Sequence, residues 1–481
     1  MTTHEVHEET TEVVVVGAGM AGLMAATTLA PTTDVVVLES ADRTGGRVET
    51  VRQGDYWINV GTQFTEGTGT LIDALHRNDI EMGSLAAKSV ALYLNGRLVD
   101  TSNPVALMFR TRMTMMDRLG MAIVGARILS VMPFLESQSR VAQRVRAKLD
   151  TKLASYLLKG VRSELADAVV RSWSAQWMGC DVEETAATQF VTSVGIALAD
   201  PEKVPNFSLP VGGNQTLTDV LTGDLGGRIR LNATVHSVRQ DGDGVVVDYH
   251  DGDRPVRLRA KRAIVTVPGD IAERILPDLP EQHRNAFDDI AYGRYVVVGF
   301  FTDEAGPQRW DDYFAVSTPQ LSFQAMFNHA AAMRNGGERR PGGALACFAG
   351  GSQADALFDL SDEEIVSRFT KDLVAVFPEM EGKLGEGIVR RHRRVVPFWA
   401  PGGRNSLPTL RDPLGSVYLA GDYQLDMPSL ADAATSGERA AKAVLASLGE
   451  AAMDGDPTVQ RVRRREHREE DNAELVVRPP L

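Results

Sequence analysis

The chain has 481 residues, 43% hydrophobic and 24% charged, ordinary globular usage that excludes collagen-like, disulfide-scaffold and wholly disordered proteins, and a length that calls for two or three packed units. Fifty-one basic against sixty-four acidic residues leave a net charge of −13; such a surface gains nothing by releasing counterions from a phosphate backbone, which excludes nucleic acid as a partner. The two cysteines, Cys180 and Cys347, have neither C-x-x-C nor Cys/His spacing, so no thiolate metal site or disulfide framework is expected, and a reducing, cytoplasmic location fits.

Residues 1–11 are acidic and polar, without the basic start and apolar stretch of a secretory signal, and read as a disordered lead-in. Thr11 to Glu39 then reads as strand, glycine turn, helix, strand. Gly17-x-Gly19-x-x-Gly22 lies between a four-valine strand and an alanine-rich helix that starts at Met20 and Ala21, the context that makes this pattern specific. Gly17 allows the tight turn, Gly19 lets the backbone approach a pyrophosphate, and Gly22 lets helix and strand pack, while the helix N-terminus offers N–H groups to phosphate. Glu39 ends the second strand, where a carboxylate accepts hydrogen bonds from both ribose hydroxyls and repels a 2′-phosphate. Just beyond it, Gly45-Gly46-Arg47 adds a second glycine turn and a guanidinium able to neutralise a pyrophosphate.

Further along, helical periods dominate from about Leu71 to Ala199. Within them, Leu119 to Leu135 is apolar but interrupted by Arg127 and Pro133; it falls short of the roughly 20 residues a membrane span needs and reads as a buried helix, with a lipid-facing or channel-lining helix as the alternative. Strand signals return at Ile229–Leu231, Ala233–Val238 and the V-V-V-D-Y-H run after the turn Asp241–Gly244. A second strand-rich block, Tyr295–Phe301, Tyr313–Val316 and Ala344–Ala349, suggests a separate antiparallel sheet, followed by helices over Ser361–Val376 and Ala431–Leu448. The end of the chain alternates acidic and basic runs and reads as a solvated tail.

The G-A-G-M-A-G turn, the following glutamate and G-G-R resemble the flavin amine oxidase superfamily, which includes monoamine and polyamine oxidases, protoporphyrinogen oxidase and the carotenoid and squalene desaturases. The resemblance implies an α/β chain, α+β overall: a Rossmann-like FAD-binding domain from 12–70, 205–290 and 385–449; a substrate domain with a helical part, 71–204, and an antiparallel sheet, 291–384; and a charged tail, 450–481. It implies a flavin-passing strand at Gly61, Thr62 and Gln63, an adenine-side position at Val235, and a closing motif in which Gly421, Asp422, Ser429 and Leu430 meet the pyrophosphate, ribityl chain and pyrimidine. FAD is expected to be noncovalent, because no cysteine follows Cys347.

The departures bear on the chemistry. Amine oxidases of the family usually carry a lysine in the substrate-domain strand, yet none occurs between Lys261 and Lys371, and the place of one cage tyrosine falls on Ser429. These differences and the L-A-G-D-Y wording lean towards hydride removal from an activated C–H of a hydrophobic small molecule to flavin N5, giving a double bond; the alternative is an amine, amide or amino-acid oxidase forming an imine and hydrogen peroxide. Oxygen or another acceptor would take the electrons, and a homodimer is compatible with the sequence. Glu66, after the flavin-passing strand, is the candidate base or substrate anchor, with an exposed turn carboxylate the plainer reading. Arg294 and Tyr295 fall on the strand expected to face the flavin, and Trp399 is either a substrate wall or core packing. His236, His250 and His392 lack metal-ligand spacing, so no metal is expected, and the basic run Arg390–Arg394 reads as one solvated strand face.

Overall fold

The computed structural model describes residues 6–63, 71, 77–78, 80–84, 89–101, 113–135, 137–198, 208–334 and 339–455. The first unit is strand His7–Val16, helix Met20–Leu29 and strand Val35–Leu38, with the strands parallel and Val13 opposite Val35. Val13, Val14 and Val15 are all fully buried, which is why this strand is a valine run and not an alternation: a parallel sheet is covered on both faces. The lead-in is shorter than expected. His7–Thr11 extends the ladder beside Val256–Ala260 of the long strand Arg254–Val265, and its polar residues need no core because Glu8 faces Arg257 and Arg259 while Glu9 pairs with Arg230.

Among the described residues this first sheet has seven strands, in the order Ala233–Asp241, Gly244–Asp251, Arg254–Val265, His7–Val16, Val35–Leu38 and Ile229–Arg230, with Val417–Leu419 parallel to the end of Arg254–Val265. Helices Met20–Leu29 and Leu430–Gly455 cross on one face so closely that a Cβ on Gly437 would lie 2.0 Å from the carbonyl oxygen of Ala21. Only glycine fits that crossing.

The second sheet runs Ile388–His392, Tyr295–Thr302, Gly343–Gly350, Ala325–Asn328, Tyr313–Ser317, Ser89–Leu94, Arg97–Asp100. It is antiparallel except where Tyr313–Ser317 meets Ser89–Leu94. Val296, Val298 and Phe300 pack towards Phe369 of helix Asp362–Val376, and Val297 and Phe301 face Ile58 of strand Tyr56–Asn59 on the other side. Two expectations are corrected here. Part of 71–204 is strand, because Asn95 and Gly96, both at positive φ, turn a hairpin whose apolar face joins this sheet. Ile388–His392 pairs with Tyr295–Gly299 and so belongs to this sheet too.

Helices Met115–Val131, Arg140–Asp150, Glu164–Met178 and Ala187–Leu198 pack around Val124, Ile128, Leu149, Val170 and Phe190. The helix over the apolar Leu119–Leu135 stretch is buried on one side only: Val124 and Ile128 face in, whereas Leu119 and Leu129 lie in solvent. The run Arg390–Arg394 is not a free solvated face either, since Arg390 reaches Glu49, Arg391 reaches Asp362 and Arg394 reaches Asp270.

Candidate functional site

The glycine turn at the end of the first strand leaves room in one direction only. Gly17 sits at φ +102°, and a Cβ on Gly22 would meet the Gly17 carbonyl oxygen at 1.9 Å, so both positions are closed to side chains. A Cβ on Gly19 meets nothing within 4 Å. Gly19 opens helix Met20–Leu29 without a side-chain cap, leaving the N–H groups around Met20, Ala21 and Gly22 turned towards that space. The second glycine turn backs onto the first, with Gly45 N donating to Ala18 O at 2.8 Å and Gly46 approaching the Gly19 backbone. Two glycine turns in contact, beside an uncapped helix end and open space, fit a dinucleotide pyrophosphate.

Glu39 is buried, and its carboxylate accepts from Ala18 N at 2.7 Å and Ala41 N at 2.9 Å. It therefore also ties the glycine turn to the end of the second strand. Ala233 N donates to Glu39 O, which brings the strand carrying Val235 alongside the carboxylate. On the opposite side, Gly421, at φ +155°, donates its N–H to Ser436 Oγ at 2.9 Å and starts the short turn that carries Asp422. Arg47 makes a bidentate ion pair with Asp422, both contacts 2.8 Å, and donates to Val395 O. The negative charge this guanidinium meets in the structure is thus a carboxylate 375 residues away, in addition to the pyrophosphate expected from its position. Ser429 caps helix Leu430–Gly455 by accepting from Asp432 N at 3.1 Å and donating to Asp432 Oδ2 at 3.0 Å. Burial pushes the Asp432 carboxyl up, the Ser429 hydroxyl bond opposes this, and the nearby Asp422 charge adds to it. Leu430 is buried in the core beneath.

The segment Gly61, Thr62, Gln63 continues strand Tyr56–Asn59 and is held by amides. Gln63 Nε2 donates to Asn59 O at 3.0 Å and Gly61 O at 2.6 Å; Asn214 Nδ2 donates to Thr62 O at 2.7 Å; Asn214 N donates to Asn59 Oδ1 at 2.9 Å. Asn59 and Asn214 are wholly buried. The remaining acceptor, Gln63 Oε1, lies 3.1 Å from His329 Nε2. His329 is buried and its pKa is pushed down to about 3 by that burial, so it is neutral; because it must donate from Nε2 to an amide oxygen, its Nδ1 carries the lone pair. That Nδ1 has no hydrogen-bond partner among the described residues.

Asn214 opens a helix after Gly212-Gly213 in the P-V-G-G-N-Q-T-L stretch, a local signal that could have marked it. His329 has no such signal. Its partner is 266 residues away, and only the fold brings the two together.

The catalytic candidates fare differently. Glu66 lies outside the described residues. Tyr295 is buried, its hydroxyl donates to Gln176 O at 2.8 Å, and its ring meets Phe348 edge to face. Arg294 is a structural tie: it pairs with Glu184 at 2.9 Å and Asp355 at 2.8 Å, joining the helical region to the second sheet. Trp399 is fully buried in the core of the first sheet, with Nε1 towards Leu425 O at 3.4 Å. Of the histidines, His392 Nε2 meets Val60 O at 2.8 Å, and His236 and His250 meet each other at 2.6 Å. Among the described residues no group of three or more His, Cys, Asp or Glu side chains could hold a metal ion.

A largely parallel sheet with a paired glycine cradle, a buried glutamate at the end of its second strand and a Gly-Asp turn opposite has the form of a dinucleotide-binding fold. Residues 20–445 match the flavin containing amine oxidoreductase family, and the chain belongs to it. It is 25% identical over 313 residues to the probable flavin-containing monoamine oxidase A of Dictyostelium discoideum, a match covering 61% of this chain and 65% of that protein, under two thirds of the relative's length. It is 23% identical over 465 residues to protoporphyrinogen oxidase 1, chloroplastic, of Arabidopsis thaliana, covering 86% of this chain and 84% of that one. In fold it is similar to a putrescine oxidase variant, with a TM-score of 0.75 at 20% identity over 91% of this chain and 100% of that one.

Proposed function

We propose that the protein dehydrogenates a hydrophobic small molecule, a hydride leaving an activated C–H for the flavin and a proton leaving the adjacent atom for solvent, to give a double bond. The observation that carries this reading is that none of the second sheet's strands contains a lysine, where amine oxidases of the family usually carry one, and that the strand Tyr295–Thr302 is apolar along most of its length. Bound FAD supplies the hydride acceptor at its N5. Gly17, Gly19 and Gly22 with the start of helix Met20–Leu29 hold the pyrophosphate, Glu39 takes the ribose, and Gly421, Asp422, Ser429 and Leu430 hold the ribityl and pyrimidine end. The buried amides of Asn59 and Asn214, with that of half-buried Gln63, fix the segment that passes the ring, so orientation is preorganised.

A second reading, oxidation at a carbon next to nitrogen, is favoured by the names of relatives such as monoamine oxidase A. The two separate in one experiment. Under anaerobic conditions the yellow protein is mixed with polyenes, porphyrinogens and amines in turn. Flavin bleaching by a polyene or porphyrinogen is the expected result; bleaching by amines alone would overturn the first reading and establish the second.

A further inference from the structure

The helical region differs in charge from everything around it. From Arg110 to Arg162 there are eleven basic and three acidic residues, a net charge of +8, while the rest of the chain, with forty basic and sixty-one acidic residues, carries −21. The same region holds strongly exposed apolar side chains: Met115 is 78% exposed, Leu129 61%, Val141 60% and Leu119 54%.

These side chains are ordered. On helix Met115–Val131, the residues Met115, Leu119, Ala122, Ala126 and Leu129 recur at spacings of four, three, four and three and are all exposed, while Gly120, Val124 and Ile128 face the core. That is a single apolar stripe on the solvent side. The next helix, Arg140–Asp150, shows Arg140, Arg144 and Lys148 at four-residue steps, each exposed and none in an ion pair among the described residues. Arg146 donates to Leu135 O at 2.7 Å and Ser137 O at 2.8 Å, so the turn between the two helices is pinned.

We propose that this face docks on an anionic phospholipid surface, with Met115, Leu119 and Leu129 entering the headgroup boundary and Arg140, Arg144 and Lys148 meeting the headgroup charges. An exposed apolar stripe flanked by uncompensated cations is the composition of a helix that lies in a membrane interface. It does not span: among the described residues no helix is long and apolar enough to cross. The remainder, at −21, is repelled by the same surface, which orients the molecule with this face down. A second copy fits less well. An isologous contact would press two such cationic faces together, and a contact between this face and the acidic remainder would be heterologous and open-ended.

The full chain is sedimented with phosphatidylcholine vesicles, with and without phosphatidylserine. Binding is expected only to the phosphatidylserine vesicles, falling as salt is raised. Both the Leu119→Glu/Leu129→Glu variant and the Arg140→Glu/Arg144→Glu/Lys148→Glu variant should lower the partition about tenfold or more. All five positions are exposed, so thermal melting should be unchanged, and melting is recorded for each variant. Failure to sediment with phosphatidylserine vesicles overturns the proposal, as does unaltered binding by the folded variants. So does a protein that ignores vesicles yet forms an oligomer that Leu119→Glu/Leu129→Glu dissolves, since that would make a second copy the occupant.

Discussion

The two large sheets are stabilised in opposite ways. The first turns glycines and an uncapped helix end towards open space, keeping backbone donors available to a ligand; the second is closed on both faces by side chains, with Val296, Val297, Val298 and Phe300 all essentially buried. A cradle for a charged cofactor must leave hydrogen-bonding groups unspent, and it is stabilised fully only when the cofactor arrives. A sheet whose two faces are covered by side chains completes its packing without a ligand. The same difference governs which substitutions touch FAD and which touch only stability.

The largest effect expected is at Gly19. Because a Cβ there meets nothing within 4 Å, Gly19→Val should fold and melt with the FAD-stripped parent, below the FAD-bound protein, and the flavin-to-protein absorbance ratio of the purified variant should drop to near zero. A yellow Gly19→Val protein would mean that the pyrophosphate lies elsewhere. Gly22→Ala sharpens the contrast. Its Cβ would sit 1.9 Å from the Gly17 carbonyl oxygen, so helix and strand must separate, and chemical denaturation should show a loss of about 3 kcal/mol before any question of cofactor arises. Colour is also informative in the parent protein: acid precipitation should release it all to the supernatant, as expected of noncovalent FAD.

Next comes the buried histidine where the two regions meet. His329 is held at a pKa of about 3 against an ordinary 6.5, a depressed value caused by burial of the charged form. The native state therefore refuses a proton that the unfolded chain accepts below pH 6.5, so stability contributed at neutral pH is lost as pH falls from 6.5 towards 3. At pH 4.5 the loss is about 2.7 kcal/mol. His329→Gln keeps a donor for Gln63 and removes the titration. Its stability measured from pH 7 to pH 4 should fall less steeply than that of the parent by about that amount, and parallel curves would show that His329 does not titrate in this way.

How much of this is legible in the sequence follows from how far apart the interacting residues lie. Gly17, Gly19, Gly22 and Glu39 act through one continuous stretch of backbone, so their spacing carries the meaning. Arg47 is visible as a cation beside the cradle, but its partner Asp422 lies 375 residues on, and no local pattern gives a side chain at that distance. The hairpin turn Asn95-Gly96 is hard to read within 71–204 because the flanking strands are short and one of them, Ser89–Leu94, finds its partner at Tyr313–Ser317. Arg294 and Tyr295 stand out by strand position alone. Alternation says that one of two neighbours faces inward, and does not say against what.

Arg294→Ala comes next. Its guanidinium is only 18% exposed and joins Glu184 to Asp355, two partly exposed carboxylates, so removal should cost about 1–2 kcal/mol. FAD content and the rate of anaerobic flavin reduction should stay within a factor of two of the parent. A catalytic role would reverse that pattern, with slow reduction and unchanged melting.

The smallest effect belongs to Tyr295. Its hydroxyl makes one hydrogen bond, to Gln176 O at 2.8 Å, and its ring packs on Phe348. Tyr295→Phe keeps the ring and removes only the donor, leaving a carbonyl at the end of helix Glu164–Met178 to find another partner, so the expected loss is about 1 kcal/mol. Burial already pushes the phenol well above its usual range, which makes it a poor proton carrier at neutral pH and consistent with a packing role. The rate of flavin reduction by the true substrate should match the parent. If Tyr295→Phe instead slowed reduction tenfold with melting unchanged, the tyrosine would touch the reacting atoms, and the second sheet would supply chemistry as well as an apolar face.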